Sequence, residues 1–156
     1  PLIGGGRLIG EACHFIDLLR YLIGNPIKDK SIKIMKDSNN LLDTFSLQLD
    51  FEDGSLANIN YFSNGNKNFP KERIDIFCDG SVFQIDNFRK IKTWGSQKNI
   101  KNRAIFQDKG QINCATAFIN AIENNTNSPI NLVEIFEVQK EILSLRNSWK
   151  QYLSMV

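Results

Sequence analysis

The chain has a single histidine, His14, flanked by two carboxylates, Glu11 and Asp17, each three residues away. On an α-helix that spacing sets side chains beside one another on a shared face. An imidazole titrates near neutrality and a neighbouring carboxylate can tune it, so the trio is a candidate general acid/base. The spacing alone leaves a second reading open, a helix surface with one capped histidine, and by itself favours that reading. Cys13 adjoins His14 but is no nucleophile–base pair with it, because successive helical residues diverge by about 100°. A packed thiol is the ordinary state of such a cysteine. Arg7 and Lys109 are candidate contacts for an anionic substrate group, against a default of solvated charge. Trp94 and Trp149 read as core or interface residues.

These residues need a helix to hold them. Ala12, Phe15, Leu19, Leu22 and Ile23 recur at spacings of three and four, which predicts a helix over 11–23. Gly24 is its expected left-handed cap, Asn25-Pro26 stops it, and Arg20 suits the C-terminal end of the dipole. Gly4-Gly5-Gly6 is a preceding loop. It follows no strand and lacks the GxGxxG spacing, so it is not a dinucleotide loop.

The middle of the chain is β. Ile32 and Ile34 mark a short strand. Phe45, Leu47, Leu49 and Phe51 alternate with polar residues, Asp53-Gly54 is a hairpin turn, and 56–62 returns. A second hairpin, 73–78 with 81–86, turns at Asp79-Gly80, and 89–94 adds a strand. Residues 64–70 and 95–103 read as loops. Two helices close the chain, over 111–124 and 132–153, the second with Val133, Phe136, Ile142, Leu145 and Trp149 as its apolar stripe. Strands that run together instead of alternating with helices predict an α+β fold, a largely antiparallel open sheet with helices packed on one face.

The 156 residues, 42% hydrophobic and 23% charged, are those of one globular domain that buries its own core. A net charge of +2 with scattered lysines gives no footprint for nucleic acid. No apolar run of roughly 18 residues predicts a membrane span. Three cysteines without CxxC spacing argue against a disulfide framework or a metal site and for reduced thiols in a cytoplasm. The opening on Pro1, without methionine or signal peptide, reads as an excised piece of a longer chain.

The stretch GGGRLIGEACHFIDLLRYLIG, residues 4–24, resembles the segment that opens the C-terminal domain of the glucose-fructose oxidoreductase / inositol dehydrogenase / rhizopine-catabolism (Gfo/Idh/MocA) family. Gly4-Gly5-Gly6, His14, Asp17, Leu22 and Gly24 match that pattern in order and spacing. The tail is similar too, with Asp108-Lys109-Gly110 before a helix, Pro129-Ile130, and a closing helix. The resemblance implies a C-terminal domain spanning 1–156, dihydrodipicolinate reductase-like in fold, with an N-terminal Rossmann domain outside this chain. That other domain would hold NAD or NADP and supply a catalytic lysine, so no cofactor-binding residue is expected here.

By the same resemblance His14 is the acid/base for a hydroxyl or keto group of a sugar, nucleotide sugar or cyclitol. Asp17 matches a position that contacts substrate hydroxyls or steadies the histidine; Glu11, Arg7 and Lys109 are further candidate substrate contacts read from their charge and not from the resemblance. A homodimer or homotetramer through the sheet face is implied. One departure stands out. Many members carry an aspartate four residues before the histidine, where this chain has Gly10. The Arg-Leu-Ile-Gly-Glu-Ala-Cys-His variant resembles a subgroup met with sugar and surface-polysaccharide genes. The alternative is a non-catalytic sugar-binding or oligomerisation module of the same architecture.

Overall fold

The first helix forms where the periodicity places it but starts in another geometry. A π-helical turn, Leu8–Ala12, runs straight into α1, Cys13–Ile23, and the Cys13 N–H donates to the Leu8 carbonyl five residues back. The buried positions along this helix are Leu8, Ala12, Ile16 and Arg20, at intervals of four. The expected stripe is therefore displaced: Phe15, Leu19 and Ile23 are half-buried and Leu22 is exposed. Gly24 ends the helix as expected, with φ 76° and its N–H on the Arg20 carbonyl at 3.0 Å.

The computed structural model describes residues 6–35, 43–95, 102–103 and 107–154, with 102–103 and 149–154 described by backbone alone. Gly4, Gly5, most of the 95–103 loop and the side chain of Trp149 lie outside the described residues. The chain divides into two compact units, 1–64 with 130–156, and 65–129.

In the first unit β1 (Ile27–Ile34), β2 (Thr44–Phe51) and β3 (Leu56–Phe62) form an antiparallel sheet in that order. Rows such as Ile34–Phe45–Tyr61 and Ile32–Leu47–Ile59 line one face, because side chains alternate with period two. β1 starts earlier than expected, since the polar run Lys28–Lys30 with its register shift hides a strand from pattern reading. α1 and α3 (Leu132–Ser154) pack on the inward face. The core joins Leu8, Ala12 and Ile16 to Phe45, Leu47, Leu49, Phe51, Ile59, Val138, Ile142 and Leu145. Of the stripe expected on α3, Ile142 and Leu145 are buried, whereas Val133 and Phe136 are 71% and 65% exposed.

Ion pairs fasten α3 to its neighbours. Arg20 is only 7% exposed. Its Nε donates to both carboxylate oxygens of Glu137, at 3.2 and 3.0 Å, and Oε1 also accepts the Ile27 N–H at 2.7 Å. Lys30 pairs with Glu141. Arg20 stands in the last turn of α1, where it suits the helix dipole as expected, and is also the polar member of the buried stripe. The outer face of this sheet carries Ser31, Lys33, Ser46, Gln48, Asn58 and Asn60, with Ser46 bonded to Asn60 at 2.8 Å.

The second unit holds β4 (Arg73–Cys78), β5 (Ser81–Asp86), β6 (Lys90–Trp94) and β7 (Asn102–Arg103), antiparallel in that order, and α2 (Gln111–Glu123). The Asp79-Gly80 turn has φ 44° and 71°, the left-handed pair that a two-residue hairpin needs. Every residue of α2 except Ala121 is exposed. The fold is α+β, as expected, with its strands divided between a three-stranded and a four-stranded antiparallel sheet.

Candidate functional site

The π turn decides how the helix presents its polar residues. His14 and Asp17 are exposed on α1, and Glu11 lies in the π turn one turn earlier. Glu11 turns to Arg7, whose Nη1 donates to Oε1 at 2.7 Å, with both side chains about half exposed. Among the described residues no side chain bonds to the His14 ring. The imidazole stands exposed on α1.

Two residues that sequence reasoning did not single out join this end of the helix. The backbone N–H of Arg7 donates to Asp43 Oδ1 at 3.2 Å, across 36 residues of sequence. Tyr61, the last inward residue of β3, stacks on Phe45 with ring centroids 5.5 Å apart and planes 16° apart. Burial pushes the Tyr61 hydroxyl above the usual phenol range; Glu11 adds to the rise, Arg7 opposes it and Asp43 adds again. The only signal for Tyr61 was its place at the end of the inward row Ala57, Ile59, Tyr61, since a buried phenol seeks a polar partner for its tip.

Lys109 belongs to the second unit, where its ammonium pairs with Glu72 at 2.5 Å and lies 5.9 Å from the Phe88 ring centre. Gln107 bonds the same Glu72 at 3.0 Å. Cys13 is half-buried and burial raises its thiol above the ordinary range, which suits a packed thiol and not a nucleophile. Two open concavities, of about 290 and 730 Å³, are lined by Lys33, Phe45 and Phe62 among others, and by Phe136, Lys140 and Leu143 among others. Neither includes His14.

Among the described residues no three histidine, cysteine or acidic side chains gather as a metal site, and no helix is long and apolar enough to cross a membrane. A dinucleotide needs a strand, a glycine turn and a helix within a parallel sheet. Both sheets here are antiparallel and Gly6 leads directly into helical turns, so the described residues do not fit that group.

A helix with an open histidine laid across an antiparallel sheet can be compared with known proteins. The family model of the GFO/IDH/MocA C-terminal domain matches residues 1–83, the stretch that carries α1, the three-stranded sheet and the start of the second. The chain belongs to the GFO/IDH/MocA family. No curated protein matches the sequence.

Solved structures of similar fold include a dehydrogenase (MviM) from Clostridium difficile, at 21% identity and TM-score 0.77, covering 93% of this chain and 48% of that one. UDP-N-acetylglucosamine 3-dehydrogenase GnnA from Acidithiobacillus ferrooxidans gives 16% identity and TM-score 0.74, covering 88% and 45%. The WlbA dehydrogenase from Bordetella pertussis, in complex with NADH and UDP-GlcNAcA, gives 15% and 0.57, covering 94% and 43%. At these identities the likeness is one of fold. The GFO/IDH/MocA chain described here spans about half the length of each of the three.

Proposed function

We propose that this chain is the substrate-binding half of an NAD- or NADP-dependent oxidoreductase acting on a hydroxyl or keto group of a sugar, nucleotide sugar or cyclitol. The observation that carries this reading is an open histidine, with Asp17 one turn on, on the helix that the family model covers. His14 accepts the hydroxyl proton as the carbon is oxidised and returns it in the reverse direction. Asp17 and Glu11 offer acceptors to neighbouring hydroxyls. The nicotinamide nucleotide would be held mainly by polypeptide outside this chain, a reading that the antiparallel pairing of both sheets supports. The three free cysteines suit a cytoplasmic protein.

Gly10 favours a second reading, a non-catalytic sugar-binding or oligomerisation module, because the aspartate common at that position is gone. Turnover separates the two. The full-length polypeptide should reduce NAD or NADP in the presence of at least one sugar or nucleotide sugar, and the 156-residue chain alone should not. Sugar binding without reduction of either nucleotide would leave the binding module standing; reduction by the isolated chain would contradict the division of labour.

A further inference from the structure

We propose that Glu137 of α3 is a positioning residue, which fixes the rotation of α1 and so the place where the His14 imidazole stands. This rests on the reading of His14 as the acid/base. The first helix is seated on its unit by apolar burial of Leu8, Ala12 and Ile16. Such burial is non-directional, and sets the depth of a helix more firmly than its rotation. Hydrogen bonds have direction, and those to an ionised group are the strong ones. Arg20, on the same buried row and six residues past His14, donates from Nε to both Glu137 oxygens, at 3.2 and 3.0 Å. Glu137 Oε1 also accepts the N–H of Ile27, the first residue of β1, at 2.7 Å. One carboxylate on α3 therefore pins the helix that carries His14 to the sheet.

The geometry of a helix gives that pin its leverage. α1 runs without interruption from Cys13 to Ile23, so a rotation at Arg20 is carried to His14. With its side chains a helix has a radius of about 5–6 Å, and a turn of about 10° moves a side-chain tip by about 1 Å. A misplacement of that size can lower a rate about 10²-fold. A second pair supplies the contrast. Lys30 pairs with Glu141, one turn further along α3, and both side chains are half-buried. Its partners lie on β1 and α3, so breaking it removes an ion pair from the same unit without releasing α1.

Turnover and melting of the full-length polypeptide compare the two pairs. Glu137→Gln, assayed well below its Tm, should lower kcat at least about tenfold with KM changed less than about threefold. Lys30→Met should lower Tm but leave kcat within about twofold. A merely structural Glu137 would lower Tm in its variant and leave kcat alone. If Glu137→Gln does not fold, the double variant Arg20→Leu, Glu137→Gln removes both charges, a replacement that is often neutral for stability, and should show the same fall in kcat. Crystal structures read the geometry without turnover. Relative to β2, the His14 side chain should shift by about 1 Å or more in the Glu137 variant that folds and stay in place in Lys30→Met. A kcat close to that of the unmodified enzyme, an equal fall in kcat for Lys30→Met, or an unmoved His14 overturns the proposal. A shifted His14 in a protein that oxidises no sugar would refute the enzyme reading while leaving the pin intact.

Discussion

Gly10 has nothing within 4 Å of the point where a Cβ would stand, and it is exposed in the π turn that precedes His14. The aspartate that the family resemblance leads one to expect at this position would therefore fit. A helical glycine costs about 1 kcal/mol relative to alanine, and aspartate less than that. Gly10→Asp should accordingly leave Tm unchanged within about 2 °C or raise it slightly, read by a thermal melt. A fall of more than about 5 °C would mean that the π turn requires glycine. His14 and Asp17 were legible at this scale because helical spacing fixes which face they share. The partners of Arg7 were not: Glu11 lies four residues away, but Asp43 lies 36 residues off, where only the folded hairpin brings it close. Tyr61 was hidden for the same reason.

At the scale of elements, Arg20 shows what periodicity misses. The π turn shifts the phase of the first helix, so the buried row runs Leu8, Ala12, Ile16, Arg20 and ends in a guanidinium held by Glu137. Burying a lone arginine is costly, and the carboxylate partner on α3 makes it tolerable. Arg20→Ala would leave Glu137, whose side chain is 19% exposed, with only the Ile27 N–H. Breaking such a pair costs about 3–5 kcal/mol, which should appear as a lower urea midpoint. A loss below about 1 kcal/mol would place the pair with ordinary surface bridges such as Arg7–Glu11. The hairpin strands, by contrast, read directly from the sequence, though the early start of β1 and the short β7 did not. Alternation in 45–51 and the two Asp-Gly turns specify register locally. The stripe on α3 was misphased because Val133 and Phe136 mimic a core row that faces solvent.

For the whole molecule, the α+β class followed from the order of the elements, but the division into two sheets did not. Which strands pair across the 63–72 loop depends on long-range packing that no local pattern encodes. The second unit buries only Ala121 among its described residues, while the first assembles a joint core from helices and sheet. On the four-stranded sheet Phe77, Val82 and Trp94 align across three strands, with Phe77 76% and Trp94 51% exposed. Such a patch suits the self-association implied by the family resemblance. Light scattering at micromolar concentration should give a dimer or tetramer mass that Phe77→Lys reduces to a monomer; a monomeric mass for the unmodified protein would count against it. The proton chemistry proposed for the exposed histidine on α1 is checked by the kcat of the His14→Ala variant of the full-length polypeptide, measured beside its Tm. A fall of about 10²- to 10⁴-fold in kcat is expected with Tm nearly unchanged, because His14 is exposed and packs into no core. Turnover close to that of the unmodified enzyme would contradict it.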